Sequence, residues 1–140
     1  MSDDVILQKV DSLVRCLMRL QTKIPTTLEK LQSDVDLQDI IIINLERLVQ
    51  LSADIACRII SKKSLLPSPH SMGQAFEVLG QNAVLSKELS IRLQKAVGFR
   101  NLCVHEYDKI NWAIVLTILE KHLDDYRQFG KIASEIAKGL

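Results

Sequence analysis

From Leu37 to about Ser61 the chain reads as one long apolar helix, and no other segment restricts the fold as strongly. Ile41, Leu45, Leu48, Ser52, Ile55 and Ile59 recur on one face at helical spacing. Ile40, Ile43, Leu51 and Ala56 widen the apolar surface beyond a narrow stripe. A helix with so wide an apolar arc must pack on more than one neighbour, and one of those can be a second subunit.

Covering helices are legible on both sides of it. Ser2, Asp3 and Asp4 supply an N-cap and first-turn acids, and Val5, Ile6, Val10, Leu13, Val14, Leu17 and Leu20 follow at helical spacing. Pro25 ends or kinks that helix. Thr26 or Thr27 caps a short segment carrying Leu28 and Leu31, and Ser33, Asp34 and Asp36 mark a fresh cap. Lys62 to Ser71 is the clearest loop, with Pro67, Pro69 and His70. Ser71 caps a short helix from Met72 to Leu79, which Gly80 is expected to end. Ser86 caps the next helix, with Leu89, Leu93, Ala96 and Val97 buried. Gly98 within it is expected to let another backbone approach closely.

Tyr107 to Asn111 should break the helix, with Asp108 or Asn111 as the following cap. A last helix is predicted from about Trp112 to Phe129, with Ile114, Val115, Ile118, Leu119 and Leu123 facing the core. Gly130 ends it, or it continues through Ile132 and Ile136. There is no β-branched alternation and no repeat. The expected fold is all-α, a single domain over 1–140, an antiparallel bundle of four main helices plus one or two short ones.

The 140 residues suffice for one core, with 47% hydrophobic residues and a formal net charge of +1. That balance excludes a protein that grips long nucleic acid by bulk charge, so any such contact needs a local patch or two copies. Cys16, Cys57 and Cys103 are odd in number and show no C-x-x-C spacing. They read as small core residues in a reducing compartment, not as a disulfide framework or zinc site. The start is acidic, and apolar runs such as Ile40 to Ile43 are far too short to span a bilayer. A soluble, cytoplasmic protein without a membrane partner is expected.

The chemistry concentrates in Arg100-Asn101-Leu102-Cys103-Val104-His105-Glu106-Tyr107. A guanidinium holds phosphate and transition-state charge. An imidazole moves protons near neutral pH. Arg100 and His105 together suggest phosphodiester cleavage with no metal or other cofactor. His105 would deprotonate a ribose 2′-hydroxyl, which attacks the adjacent phosphorus to leave a 2′,3′-cyclic phosphate. Arg100 would stabilise the added charge. The substrate would be RNA, because DNA lacks that nucleophile. The bland alternative is a charged helix end with a partly buried imidazole.

On a regular helix Arg100 and His105 lie about 140° apart. Either the helix loosens near His105, or two subunits meet there about a two-fold axis and share side chains. Two chains would also supply two histidines, one as acid and one as base. Asn101, four residues before His105, shares its face and would orient the imidazole or touch the substrate.

Elsewhere His70 reads as a solvated loop residue, His122 as helix surface, and Asp124-Asp125 as a solvated face. Tyr126 reads as packing and Cys103 as buried filler. Lys62, Lys63, Lys9, Arg15, Arg19 and Lys23 either rim a positive cleft or are ordinary surface charges.

Arg100, His105 and Tyr107 fit R-x-x-x-x-H-x-Y, which resembles the signature of the HEPN superfamily. GFRNLCVHEYDKIN and PSPHSMGQAFEVLG further resemble the HepT toxins of HepT–minimal nucleotidyltransferase toxin–antitoxin pairs. The likeness spans most of the chain. It implies a helical homodimer with its motifs at the dimer cleft, acting as a metal-independent endoribonuclease toxin of a type VII-like pair. It also implies that Arg100 and His105 are catalytic. Tyr107 would receive AMP from the cognate minimal nucleotidyltransferase antitoxin, which places bulk and negative charge beside a site for RNA phosphate. The competing reading is a non-catalytic helical docking module for a nucleotidyltransferase. A purely structural bundle is a weaker third. His105 separates the first two, since only cleavage needs its proton transfer.

Overall fold

A computed structural model describes residues 2–140 as seven α-helices and one 3-10 turn, with no strand among the described residues. The four long helices are α1 (Asp4–Gln21), α3 (Val35–Lys62), α5 (Lys87–His105) and α7 (Asp124–Lys138). The short ones are α2 (Leu28–Ser33), α4 (Met72–Gln81) and α6 (Trp112–Lys121), so there are three where one or two were expected.

Most helix starts follow from their caps. The side chains of Asp3, Thr27, Asp34, Ser71, Ser86 and Asn111 each accept a backbone amide two or three residues ahead. Each satisfies a donor that the first turn leaves without an intrahelical partner.

Helix α3 is the hub, packing against α1, α2, α4, α5 and α7. The six residues assigned to its main face are all buried. Ile40 and Ile43, which widen the apolar surface of α3, are exposed in the single chain, as are Val5 and Val14 on α1. Helix α7 packs on α1, and α4 packs on α5.

The largest departure from expectation is the split of the last helix. His122 closes α6, and Leu123 precedes α7 with no side-chain cap. His122 leaves the helical region, with φ −118° and ψ 0°, while Leu123 returns to it at φ −66° and ψ −26°, so one residue makes the break. Val115, Leu119 and Leu123 are buried, but Ile114 is half exposed. Gly130 does not end α7. It lies inside the helix against α1, where an added Cβ would sit 3.3 Å from Leu13 Cδ2.

Gly80 and Gly98 differ from their expected roles. Helix α4 runs through Gly80 to Gln81. A Cβ at Gly80 would lie 2.5 Å from Ser90 Oγ, which itself donates to the Phe76 carbonyl at 2.8 Å. Gly80 therefore sets the close approach of α4 to α5. Gly98 instead has open space where its Cβ would be. Gly80→Ala is expected to destabilise the protein by about 1–3 kcal/mol through overpacking. Gly98→Ala is expected to stabilise it by about 0.5–1 kcal/mol, through helix propensity alone. Urea unfolding of both variants checks the opposite signs.

Asp3 fastens α1 to α3 and α7. Its carboxylate accepts the Ile6 amide and pairs with Arg58 Nε at 3.0 Å, while its own amide donates to the Ala137 carbonyl. Burial pushes its carboxyl pKa up. The Ile6 amide, the Arg58 guanidinium and the charge of Lys62 outweigh that and hold it below the usual value. A depressed carboxylate contributes stability above its unfolded pKa and loses it as pH falls through the folded one. Asp3→Asn keeps a capping oxygen and removes the charge. Its melting temperature is therefore expected to fall less than that of wild type below about pH 4.

Candidate functional site

The motif occupies the C-terminal end of α5 and the turn beyond it. The helix stays regular to His105, and the Glu106 amide still donates to the Leu102 carbonyl at 2.8 Å. Only at Glu106, with φ −140° and ψ 54°, does the backbone leave the helix. Of the two ways to join Arg100 to His105, loosening of the helix before His105 is not the one adopted. The two side chains remain on diverging faces, and no hydrogen bond joins them.

Arg100 lines a cavity of about 240 Å³ between α3, α5 and α6. Its walls are mostly apolar, from Val49, Phe99, Ile114, Ile118 and the buried Cys103, with Glu46, Arg92, Lys95 and His122 also lining it. Burial, then the charge of Glu46, pushes the Cys103 thiol up to about 11, in keeping with its reading as inert filler. Arg100 Nη1 donates to Asn101 Oδ1 at 3.3 Å, while its Nε is buried and unpartnered. A guanidinium with a free buried donor is an incomplete anion-binding group, because a buried donor left unpaired is costly.

Asn101 is exposed, and its carbonyl oxygen is turned to Arg100; it makes no hydrogen bond to His105. His105 is exposed as the last residue of α5, in the last turn, where a cation is favoured by the helix dipole. It does not line the Arg100 cavity.

Tyr107 opens a 3-10 turn, Tyr107–Lys109, and is 41% exposed. Its ring packs edge-on against Trp112, with centroids 6.3 Å apart. Its hydroxyl donates to Asp39 Oδ1 on α3 at 2.8 Å. Burial, then the hydrogen bond and charge of Asp39, pushes the phenol up to about 12. Asp39 was not singled out from the sequence. It lies 68 residues from Tyr107, and no spacing rule reaches that far.

Several neighbouring readings change. Asp125 is not a solvated surface acid: it accepts from Arg92 Nε at 2.9 Å and lies 4.0 Å from His122 Nδ1. Cys57 is exposed, unlike the buried Cys16 and Cys103. The basic residues of α1 do not rim the Arg100 cavity. Arg15 and Arg19 line a separate groove with Arg47, and Lys9 pairs with Asp54. His70 is an exposed loop residue and Tyr126 a buried packing residue, as read. Among the described residues no three His, Cys, Asp or Glu side chains gather closely enough to hold a metal ion. No helix is long and apolar enough to cross a membrane.

Three comparisons bear on this arrangement. The chain is 35% identical over 127 residues to the mRNA nuclease HepT of Shewanella oneidensis, covering 91% of this chain and 94% of the relative. It superimposes with a TM-score of 0.86 on a tri-AMPylated Shewanella oneidensis HEPN toxin solved with its MNT antitoxin. That match has 35% identity and covers 93% and 96% of the two chains. A toxin–antitoxin structure with AMP-PNP matches at 34% identity, again with a TM-score of 0.86, over 93% of this chain and 97% of the other. The ribonuclease HepT-like family model matches residues 13–132, which include Arg100, His105 and Tyr107. The chain therefore belongs to the ribonuclease HepT-like family and has the fold of the HEPN toxins.

Proposed function

We propose that this protein is the toxin of a type VII-like toxin–antitoxin pair. It is an endoribonuclease that cleaves RNA without metal and is silenced by AMP transfer to Tyr107 from a cognate minimal nucleotidyltransferase. One observation supports the reading: Arg100, His105 and Tyr107 fall within eight residues at the end of α5 and the turn after it, in a chain of a ribonuclease family.

The mechanism follows from that placement. His105, solvent-facing and free of internal partners, takes the 2′-hydroxyl proton as the oxygen attacks phosphorus. Arg100 contributes the guanidinium that neutralises the developing phosphorane, with its unpartnered Nε available to an anion. Asn101 supports Arg100 by accepting its Nη1 donor, and so helps to set the guanidinium plane. Because α5 is regular through His105, one chain does not aim both groups at one phosphate. A homodimer in which the two α5 ends meet about a two-fold axis brings them together and provides both a base and an acid. Exposed Gly98, Val104 and Ile91 leave the surface of α5 open to such a contact.

Adenylylation of Tyr107 would place a phosphate two residues from His105. The added charge repels the RNA backbone and competes for the guanidinium. The test is RNA cleavage by partner-free protein before and after incubation with the nucleotidyltransferase and ATP. Activity that falls in step with AMP incorporation supports the reading, and activity indifferent to it contradicts the reading.

The divergence of Arg100 and His105 within one chain also favours a second reading, the non-catalytic docking module. That module would bind the nucleotidyltransferase equally well with His105 replaced, and would cut no RNA.

A further inference from the structure

Tyr107 is not a free phenol waiting on the surface. Its hydroxyl is already committed to a carboxylate on another helix, 2.8 Å from Asp39 Oδ1. Asp39 is exposed near the start of α3, and among the described residues no lysine or arginine pairs with it. The phenol is thus its polar partner, at a distance suited to proton transfer. The Trp112 ring against one side of Tyr107 restricts the rotation that would carry the hydroxyl away. The tyrosine remains 41% exposed, enough for a nucleotide to approach.

A phenol is a poor nucleophile until it loses its proton, and the surroundings of this one oppose that loss. The anionic and ionisable groups around it are Asp39 and Glu46 from α3 and Cys103 from α5, all of which raise its pKa. On the turn itself Lys109 is taken up by Glu106 at 3.0 Å. Spontaneous phenolate is therefore scarce, and a base in contact with the hydroxyl becomes useful.

We propose that Asp39 is the base for AMP transfer to Tyr107, a role supplied by the toxin rather than by the nucleotidyltransferase. This rests on the reading of Tyr107 as the AMP acceptor. As Tyr107 Oη attacks the α-phosphorus of ATP, the Oη–P bond forms and the bond from that phosphorus to the bridging oxygen breaks. Pyrophosphate leaves with that electron pair, and the phenolic proton passes to Asp39 and then to solvent. The nucleotidyltransferase binds the triphosphate, and Asp39 aims and activates the acceptor.

The test uses full-length protein, its nucleotidyltransferase and α-labelled ATP, with AMP incorporation followed in time from pH 7 to 9. Asp39→Asn, nearly isosteric, is expected to lower the incorporation rate about 100-fold at pH 7, within the usual range for a lost general base. Its rate should then climb about tenfold per pH unit, because phenolate must form unaided, while the wild-type rate stays nearly flat. Affinity for the nucleotidyltransferase and the circular dichroism spectrum should match wild type, which sets a missing base apart from a damaged surface. Incorporation into Asp39→Asn at the wild-type rate with the wild-type pH profile overturns the role of Asp39 alone. Absence of label from wild type, or full labelling of Tyr107→Phe, overturns the acceptor reading and the role of Asp39 with it.

Discussion

Replacing His105 with alanine is expected to lower RNA cleavage by about 10²–10⁴-fold while leaving the protein folded. The separation of the two effects comes from position. His105 is the last residue of α5, exposed, and outside the packed core. An exposed side chain with no hydrogen-bond partner and no place in the core costs little stability when truncated, typically within about 0.5 kcal/mol. Losing the proton carrier removes the step by which the 2′-hydroxyl becomes a nucleophile. Initial cleavage rates with equal circular dichroism spectra check this. His70→Ala, in the exposed proline loop, serves as the control and should cut at the wild-type rate.

The second large effect is on stability. Phe129→Ala is expected to cost about 3–5 kcal/mol, a large share of the 5–15 kcal/mol typical of a domain. Phe129 is fully buried on α7, and its ring meets that of Phe76 on α4 edge to face, with centroids 5.7 Å apart. The substitution removes the apolar area, leaves a cavity and breaks the aromatic pair. Urea unfolding should show the midpoint falling with little change in slope.

What could be read in advance follows the range of the forces involved. Helix starts depend on one side chain and an amide two or three residues away, so Ser71 and Ser86 were legible outright, and Asp3, Thr27, Asp34 and Asn111 to within a neighbouring candidate or two. The buried face of α3 was legible because one helix repeats its pattern over many turns. The break at His122–Leu123 was not. It uses no glycine or proline and no side-chain cap, and only the backbone of His122 leaves the helical region, so no residue type marks it in the sequence.

The roles of Gly80 and Gly98 were hidden for the opposite reason, since they depend on partners far away. Gly80 faces Ser90 across a helix crossing, while Gly98 faces open space. Long-range polar pairs were equally hidden. Arg58 with Asp3, Arg92 with Asp125, and Tyr107 with Asp39 are joined only by the fold. The motif residues themselves could be named from the sequence, as could the divergence of Arg100 and His105 on a regular helix. That the helix stays regular through His105 needed the structure, and it is this regularity that motivates the proposal of a composite site from two chains.

The most direct test of the central claim is to incubate RNA with partner-free protein in excess EDTA, after mass spectrometry confirms that Tyr107 is unmodified. The expected result is cleavage that leaves 2′,3′-cyclic phosphate and 5′-hydroxyl ends, with none from folded His105→Ala. Intact RNA under those conditions, or cleavage that survives in His105→Ala, would contradict it.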